Sequence, residues 1–138
     1  MWLEEDDMEE LIRAAMVARN NAYAPYSNFK VGAAVLAKNG KIYTGCNIEN
    51  ASYGLCNCAE RTAIYKAISE GEIELIAMAI TADTNEPVAP CGACRQVMAE
   101  FGITKVMMCN LHGKQYMATL EELLPYSFGK KHLSGEKL

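Results

Sequence analysis

Two short stretches hold the residue types able to do chemistry, Cys58-Ala59-Glu60 and Pro90-Cys91-Gly92-Ala93-Cys94. Cys91 and Cys94 are close enough in sequence to face one ion from the first turn of a helix. Cys58 becomes a third ligand if its own helix start lies opposite. A thiolate at a helix N-terminus is favoured by the dipole and the free N–H groups, which lowers its pKa. Three protein ligands leave a fourth position for water, the catalytic form of a zinc site, whereas four ligands close it. Zinc draws the pKa of such a water toward neutrality. Glu60 lies two residues after a ligand, and a carboxylate there can take a proton and later hand it on.

Other uses of these residues stay open on spacing alone. Cys56, Cys58, Cys91 and Cys94 can form a closed structural zinc site, although Cys-x-Cys is a poor match for the usual knuckle and Glu60 then has no role. A redox pair at Cys91 and Cys94 leaves Cys58 without a purpose. Cys46 and Cys109 sit in strand patterns and read as buried, inert thiols. His112 falls in a turn and His132 in the tail, so neither is a convincing ligand. Zinc with three thiolates carries a net charge of −1, which makes its water harder to ionise, and a nearby cation would offset this. Arg61, beside Glu60, is the first candidate for that charge compensation and Arg95 the second.

These stretches need helix starts brought together on a frame. Met8, Leu11, Ile12, Ala15 and Met16 mark one apolar face of an N-terminal helix, with Asp7 and Glu10 spaced like a capping box. Residues 30–38 and 41–48 flank Asn39-Gly40, a strong hairpin signal. The first of these strands, Val31 to Ala37, is apolar on both faces, as in a sheet covered by helices on both sides. Its small residues suggest close approach of those helices. Ala59 to Ser69 reads as a helix stopped by Gly71, and Ile73 to Ala82 as a buried strand. Cys91 opens a helix that Gly102 ends. Ile103 to Cys109 and Lys114 to Ala118 are strands around a turn, and Thr119 caps a brief helix before Pro125. Met98, Met107 and Met108 read as core. The order is that of an α/β fold with at least one parallel, right-handed crossover between residues 73 and 109. No repeat or linker divides the 138 residues, so we expect one domain over 1–138.

Composition narrows the partners. Thirteen basic against 17 acidic side chains give a net charge of −4, which disfavours a nucleic-acid polymer. The only basic cluster is Lys130, Lys131, His132 and Lys137, read as a solvated tail. No apolar run has membrane-spanning length. The opening Met1-Trp2-Leu3-Glu4-Glu5-Asp6-Asp7 is acidic where a secretory leader would be basic. We therefore expect a cytoplasmic protein, in which all six cysteines are reduced and close spacing points to metal or redox chemistry.

Zinc nucleobase deaminases carry a His or Cys, any residue and a Glu, followed later by Pro-Cys-x-x-Cys. This chain has Cys58-Ala59-Glu60 and Pro90-Cys91-Gly92-Ala93-Cys94, and it resembles the small, homotetrameric cytidine deaminases over nearly its whole length. The resemblance also rests on Tyr23-Ala24-Pro25-Tyr26-Ser27, Asn47 to Tyr53, Asn57 to Ala63, Arg95-Gln96-Val97 and Leu123-Leu124-Pro125. It implies a three-layer α-β-α sandwich around a mixed five-stranded sheet. It also implies one zinc ion per subunit on Cys58, Cys91 and Cys94, with Glu60 as proton shuttle. Phe29 would flank the pyrimidine, Asn47 and Glu49 would hold the ribose hydroxyls, and the backbone of Ala59 would contact the base. Phe128 would reach a neighbouring subunit's pocket. The implied reaction converts cytidine and deoxycytidine to their uridine products in pyrimidine salvage. The alternatives are deamination of another aminated heterocycle, such as a nucleoside-like antibiotic, and, from a different class, a zinc-stabilised binding module. A nucleotide substrate is disfavoured because no Gly-rich loop or basic cluster offers a phosphate cradle.

Overall fold

A computed structural model describes residues 3–134; Met1, Trp2 and Lys137, which entered the reading of the termini, lie outside the described residues. The chain runs α1 (Glu5–Arg19), β1 (Val31–Ala37), β2 (Ile42–Cys46), α2 (Ala59–Ser69), β3 (Leu75–Ala82), α3 (Gly92–Glu100), β4 (Lys105–Asn110), β5 (Gln115–Thr119), α4 (Leu120–Leu123) and α5 (Lys130–Leu133). The strands form one sheet in the order β2-β1-β3-β4-β5. Only β3 and β4, joined through α3, are parallel, and the other neighbours are antiparallel. The sheet is mixed and five-stranded, as expected, with helices on both faces.

The pleat explains why β1 is apolar throughout. Ala33, Val35 and Ala37 face α2 and α3 in a core with Ala63, Ile64, Met78, Ile80, Met98 and Met108. Ala34 and Leu36 point the other way, joining Leu11 and Ala15 of α1 with Ala77, Ala79, Met107 and Cys109. Successive residues alternate sides, so a strand covered twice has no polar face to show. The three methionines read as core are all buried. The turn between β1 and β2 is built on Gly40, whose φ of +89° is left-handed, and Asn39 Oδ1 accepts the Lys41 N–H at 2.9 Å.

Several boundaries differ from the sequence reading. The capping pair of α1 falls one turn earlier than Asp7 and Glu10 suggest, with Asp7 Oδ2 accepting the N–H of Glu4 at 3.2 Å. Glu5, Asp6 and Asp7 then occupy the first turn, where the helix dipole favours acids. Ile73 is exposed and precedes β3. Residues Lys130–Leu133 form a short helix where a solvated tail was expected. Thr119 caps α4 as expected: its Oγ1 accepts the Glu122 N–H at 3.1 Å, and Glu122 Oε1 accepts the Thr119 N–H at 2.9 Å. No helix among the described residues is long and apolar enough to cross a membrane.

Candidate metal centre and substrate site

Cys58 and Cys91 are the residues that open α2 and α3. Both have extended backbone (φ −73°, ψ 154° and φ −71°, ψ 167°), and their carbonyls accept the first helical bonds, from Thr62 and Arg95. Because α2 and α3 share one face of the sheet, their N-termini meet. Cys58 Sγ lies 3.9 Å from Cys91 Sγ, and the sulfurs of Cys58, Cys91 and Cys94 all fall within 4.8 Å of one another. Four ligands about 2.3 Å from zinc in a tetrahedron stand about 3.8 Å apart, so the spacing and the soft thiolate donors fit zinc. Among the described residues, this trio is the group of metal-binding type.

The electrostatics suit a cation. The Cys94 thiol, by hydrogen bonding to Cys58, does most to draw the Cys58 pKa down to about 5 against the effect of burial. The Arg61 guanidinium helps, with Nη2 donating to Cys58 Sγ at 3.3 Å. Cys94 is shifted upward by the same hydrogen bond and by burial. Glu60, in the first turn of α2, is only 5% exposed. Burial pushes its carboxyl up to about 7, against backbone hydrogen bonding that pulls it down, and the neighbouring Cys58 charge adds to the rise.

Arg95, the second candidate for charge compensation, does something else. Its Nε donates to the Pro90 carbonyl at 2.9 Å and its Nη1 to the Leu123 carbonyl at 2.7 Å. It ties the residue before Cys91 to the C-terminal segment. Cys56 is also outside the thiol trio. Its Sγ accepts the Asn50 N–H at 3.3 Å and donates to the Asn50 carbonyl at 3.6 Å, which holds the loop before Cys58. A closed four-cysteine site is therefore absent among the described residues. Cys109 is buried, as read from its strand, whereas Cys46 at the end of β2 is only partly covered.

A small ladder links Phe29, Asn47 and Glu49 to the residue before Cys58. Ile48, between Asn47 and Glu49, bridges to Tyr23 on one side and to Asn57 on the other, and Asn57 precedes Cys58. Asn47 Nδ2 donates to the Phe29 carbonyl at 2.7 Å, and Asn47 Oδ1 accepts the Val31 N–H at 2.8 Å. Glu49 Oε1 accepts the N–H groups of Tyr26 and Ser27 at 2.9 and 3.1 Å. A cavity of about 300 Å³ is lined by Tyr26, Ser27, Glu49, Tyr53 and Cys56. Neither this cavity nor a larger groove of about 1150 Å³, between the end of α3 and residues 124–132, is lined by the three thiols or Glu60. Ala59 is fully buried directly after Cys58. Phe128 is 55% exposed, its ring stacked on His132 at 5.1 Å and its carbonyl accepting from Gln96 Nε2 at 2.8 Å. The sequence reading named Ser27 and Gln96 within motifs but gave them no role; their partners lie 22 and 32 residues away.

The model of the cytidine and deoxycytidylate deaminase zinc-binding region matches residues 5–110. A cytidine deaminase of Halalkalibacterium halodurans is 57% identical over 124 residues, which is 88% of this chain and 94% of that relative. One from Sporosarcina psychrophila is 54% identical over 130 residues, covering 93% and 96%. The crystal structure of cytidine deaminase from Burkholderia pseudomallei superposes with a TM-score of 0.84 at 52% identity, covering 87% of this chain and 98% of that one. The matched region is a zinc-binding one and the three sulfurs converge on one point, so zinc is the cofactor. With the sheet, the paired helix starts and these likenesses in agreement, the chain belongs to the cytidine and deoxycytidylate deaminase family.

Proposed function

We propose that this chain hydrolyses cytidine and deoxycytidine to uridine and deoxyuridine, releasing ammonia. The observation that carries the reading is the meeting of Cys58, Cys91 and Cys94 beside the buried carboxyl of Glu60. In this reading the three thiolates hold one zinc ion per subunit. When bound, zinc supplies Lewis acidity that makes water a nucleophile near neutral pH. Arg61 offsets the excess negative charge of the thiolates through its bond to Cys58. Glu60 takes a proton from the attacking water and delivers it to N3 of the pyrimidine as the oxygen bonds to C4. It then takes the remaining proton from the oxygen newly bonded to C4 and passes it to the 4-amino group, whose bond to C4 breaks as ammonia leaves and the C4 carbonyl forms. A carboxyl with a pKa near the working pH can both accept and return a proton.

Substrate binding falls to the neighbouring group. Phe29 flanks the base, and Asn47 and Glu49 hold the ribose hydroxyls. The N–H of Ala59, in the first turn of α2, has no partner four residues back and is free to meet the base. Asn47 already spends one amide proton on Phe29 and its oxygen on Val31, so one N–H remains for sugar. Phe128 completes the pocket of a neighbouring subunit in a homotetramer, and its exposed ring, anchored through Gln96 to the helix that carries Cys94, supports that role. Residues 1–138 act as a single domain. The site needs free thiols, which suits the reducing cytoplasm.

The test is ammonia release from cytidine by the zinc-loaded protein, by the protein stripped with a chelator, and by the stripped protein resupplied with zinc. Release lost on stripping and regained with zinc supports the reading. A zinc-loaded protein that leaves both cytidine and deoxycytidine intact overturns it and turns attention to other aminated heterocycles. Sedimentation of the loaded protein should give four chains per particle, and a monomer would remove the shared role of Phe128.

A further inference from the structure

We infer that the Ser27 hydroxyl is a positioning group that locks the Glu49 carboxylate and the backbone of Phe29 into one frame, and that it thereby sets discrimination for the sugar hydroxyls. The inference rests on the assignment of Glu49 and Phe29 to the substrate site. Ser27 Oγ donates its single proton to Glu49 Oε2 and accepts the Phe29 N–H at 3.0 Å. One hydroxyl thus links the sugar-facing carboxylate to the residue beside the base.

Asn28, between Ser27 and Phe29, has a left-handed φ of 57°, which asparagine tolerates better than most side chains. Its N–H donates to the Ala24 carbonyl at 3.0 Å, and Ser27 N donates to Glu49 Oε1. A carboxylate has about four lone-pair sites. Two on Oε1 take the N–H groups of Tyr26 and Ser27, and one on Oε2 takes the Ser27 hydroxyl. One site on Oε2 is left for a sugar hydroxyl, and its direction is fixed by where the Ser27 proton lies. No cationic side chain of the described residues pairs with Glu49, so these donors hold its charge. Consistent with this, its carboxyl is held below the usual range, first by the Ser27 hydroxyl.

The experiment compares cytidine with 2′,3′-dideoxycytidine in Ser27→Ala, Ser27→Thr and Glu49→Ala, each loaded with equal zinc. Ser27→Ala should lower kcat/KM for cytidine by about tenfold, the scale of one hydrogen bond to a charged group. The loss should sit in KM, with kcat changed by less than about twofold. The dideoxy substrate, lacking the hydroxyls, should change by about twofold or less on the same scale. Ser27→Thr keeps a hydroxyl and should restore the preference, whereas a merely structural weakening would lower both substrates together. Preference kept in Ser27→Ala but lost in Glu49→Ala would overturn the role of Ser27 alone. Preference kept in Glu49→Ala would remove Glu49 from the sugar site, and the role of Ser27 with it.

Discussion

Glu60→Gln is expected to abolish measurable deamination while leaving fold and zinc content intact. Gln has the shape of Glu and hydrogen-bonds, but it cannot carry a proton between water and the ring. Loss of a general acid–base group costs typically 10²–10⁴-fold, and because Glu60 serves two successive transfers we expect a fall of about 10³-fold or more. The fold should not suffer. Glu60 is almost fully buried and its charged form is disfavoured there, so a neutral isostere removes a desolvation cost. Zinc per chain, melting temperature and turnover would be measured on the same preparation. A variant with full zinc and more than about a tenth of wild-type turnover would show that another group moves the proton, since general acid–base loss is larger than that.

The centre was legible because short-range rules governed it. Cys58 and Cys91 each stand before an apolar helical pattern, so both thiols were expected at helix starts, and the sheet then brings those starts together. The two-sided apolar run of β1 announced helices on both faces, and its small residues announced their close approach. At Gly32 a Cβ would come within 2.6 Å of the Arg19 backbone nitrogen in α1. What stayed hidden depends on partners distant in the chain. Nothing local tells that Arg95 turns away from the thiols to the Leu123 carbonyl, or that Cys56 turns to Asn50. The part Ser27 plays shows only when Glu49 is placed beside it. Capping was misread by one turn because residues 4–10 hold several acids with the same spacing, and only the backbone selects which one accepts.

Gly45→Ala is expected to damage both stability and catalysis, although it adds a single methyl group. Gly45 pairs with Ala33 in β2 and lies under the first turn of α2. A Cβ there would overlap the Ala63 backbone nitrogen and stand 2.6 Å from the Ala59 carbonyl oxygen and 2.9 Å from Thr62 Cβ. Two of these three are backbone atoms, which cannot swing aside as a flexible side chain would. Helix α2 must therefore lift as a unit. Overpacking of this kind costs about 1–3 kcal/mol, which for a chain of this length lowers the melting temperature by roughly 3–10 °C. The displaced turn contains Cys58, Ala59 and Glu60, so the folded variant should also turn over cytidine more slowly. A shift of about 1 Å in a reacting group is worth up to about 10²-fold. Gly54→Ala is the control, because nothing lies within 4 Å of a Cβ at that position. Thermal unfolding and turnover of the two variants, measured side by side with zinc bound, should separate them clearly. If Gly45→Ala matched the control in both, the first turn of α2 would not rest on β2.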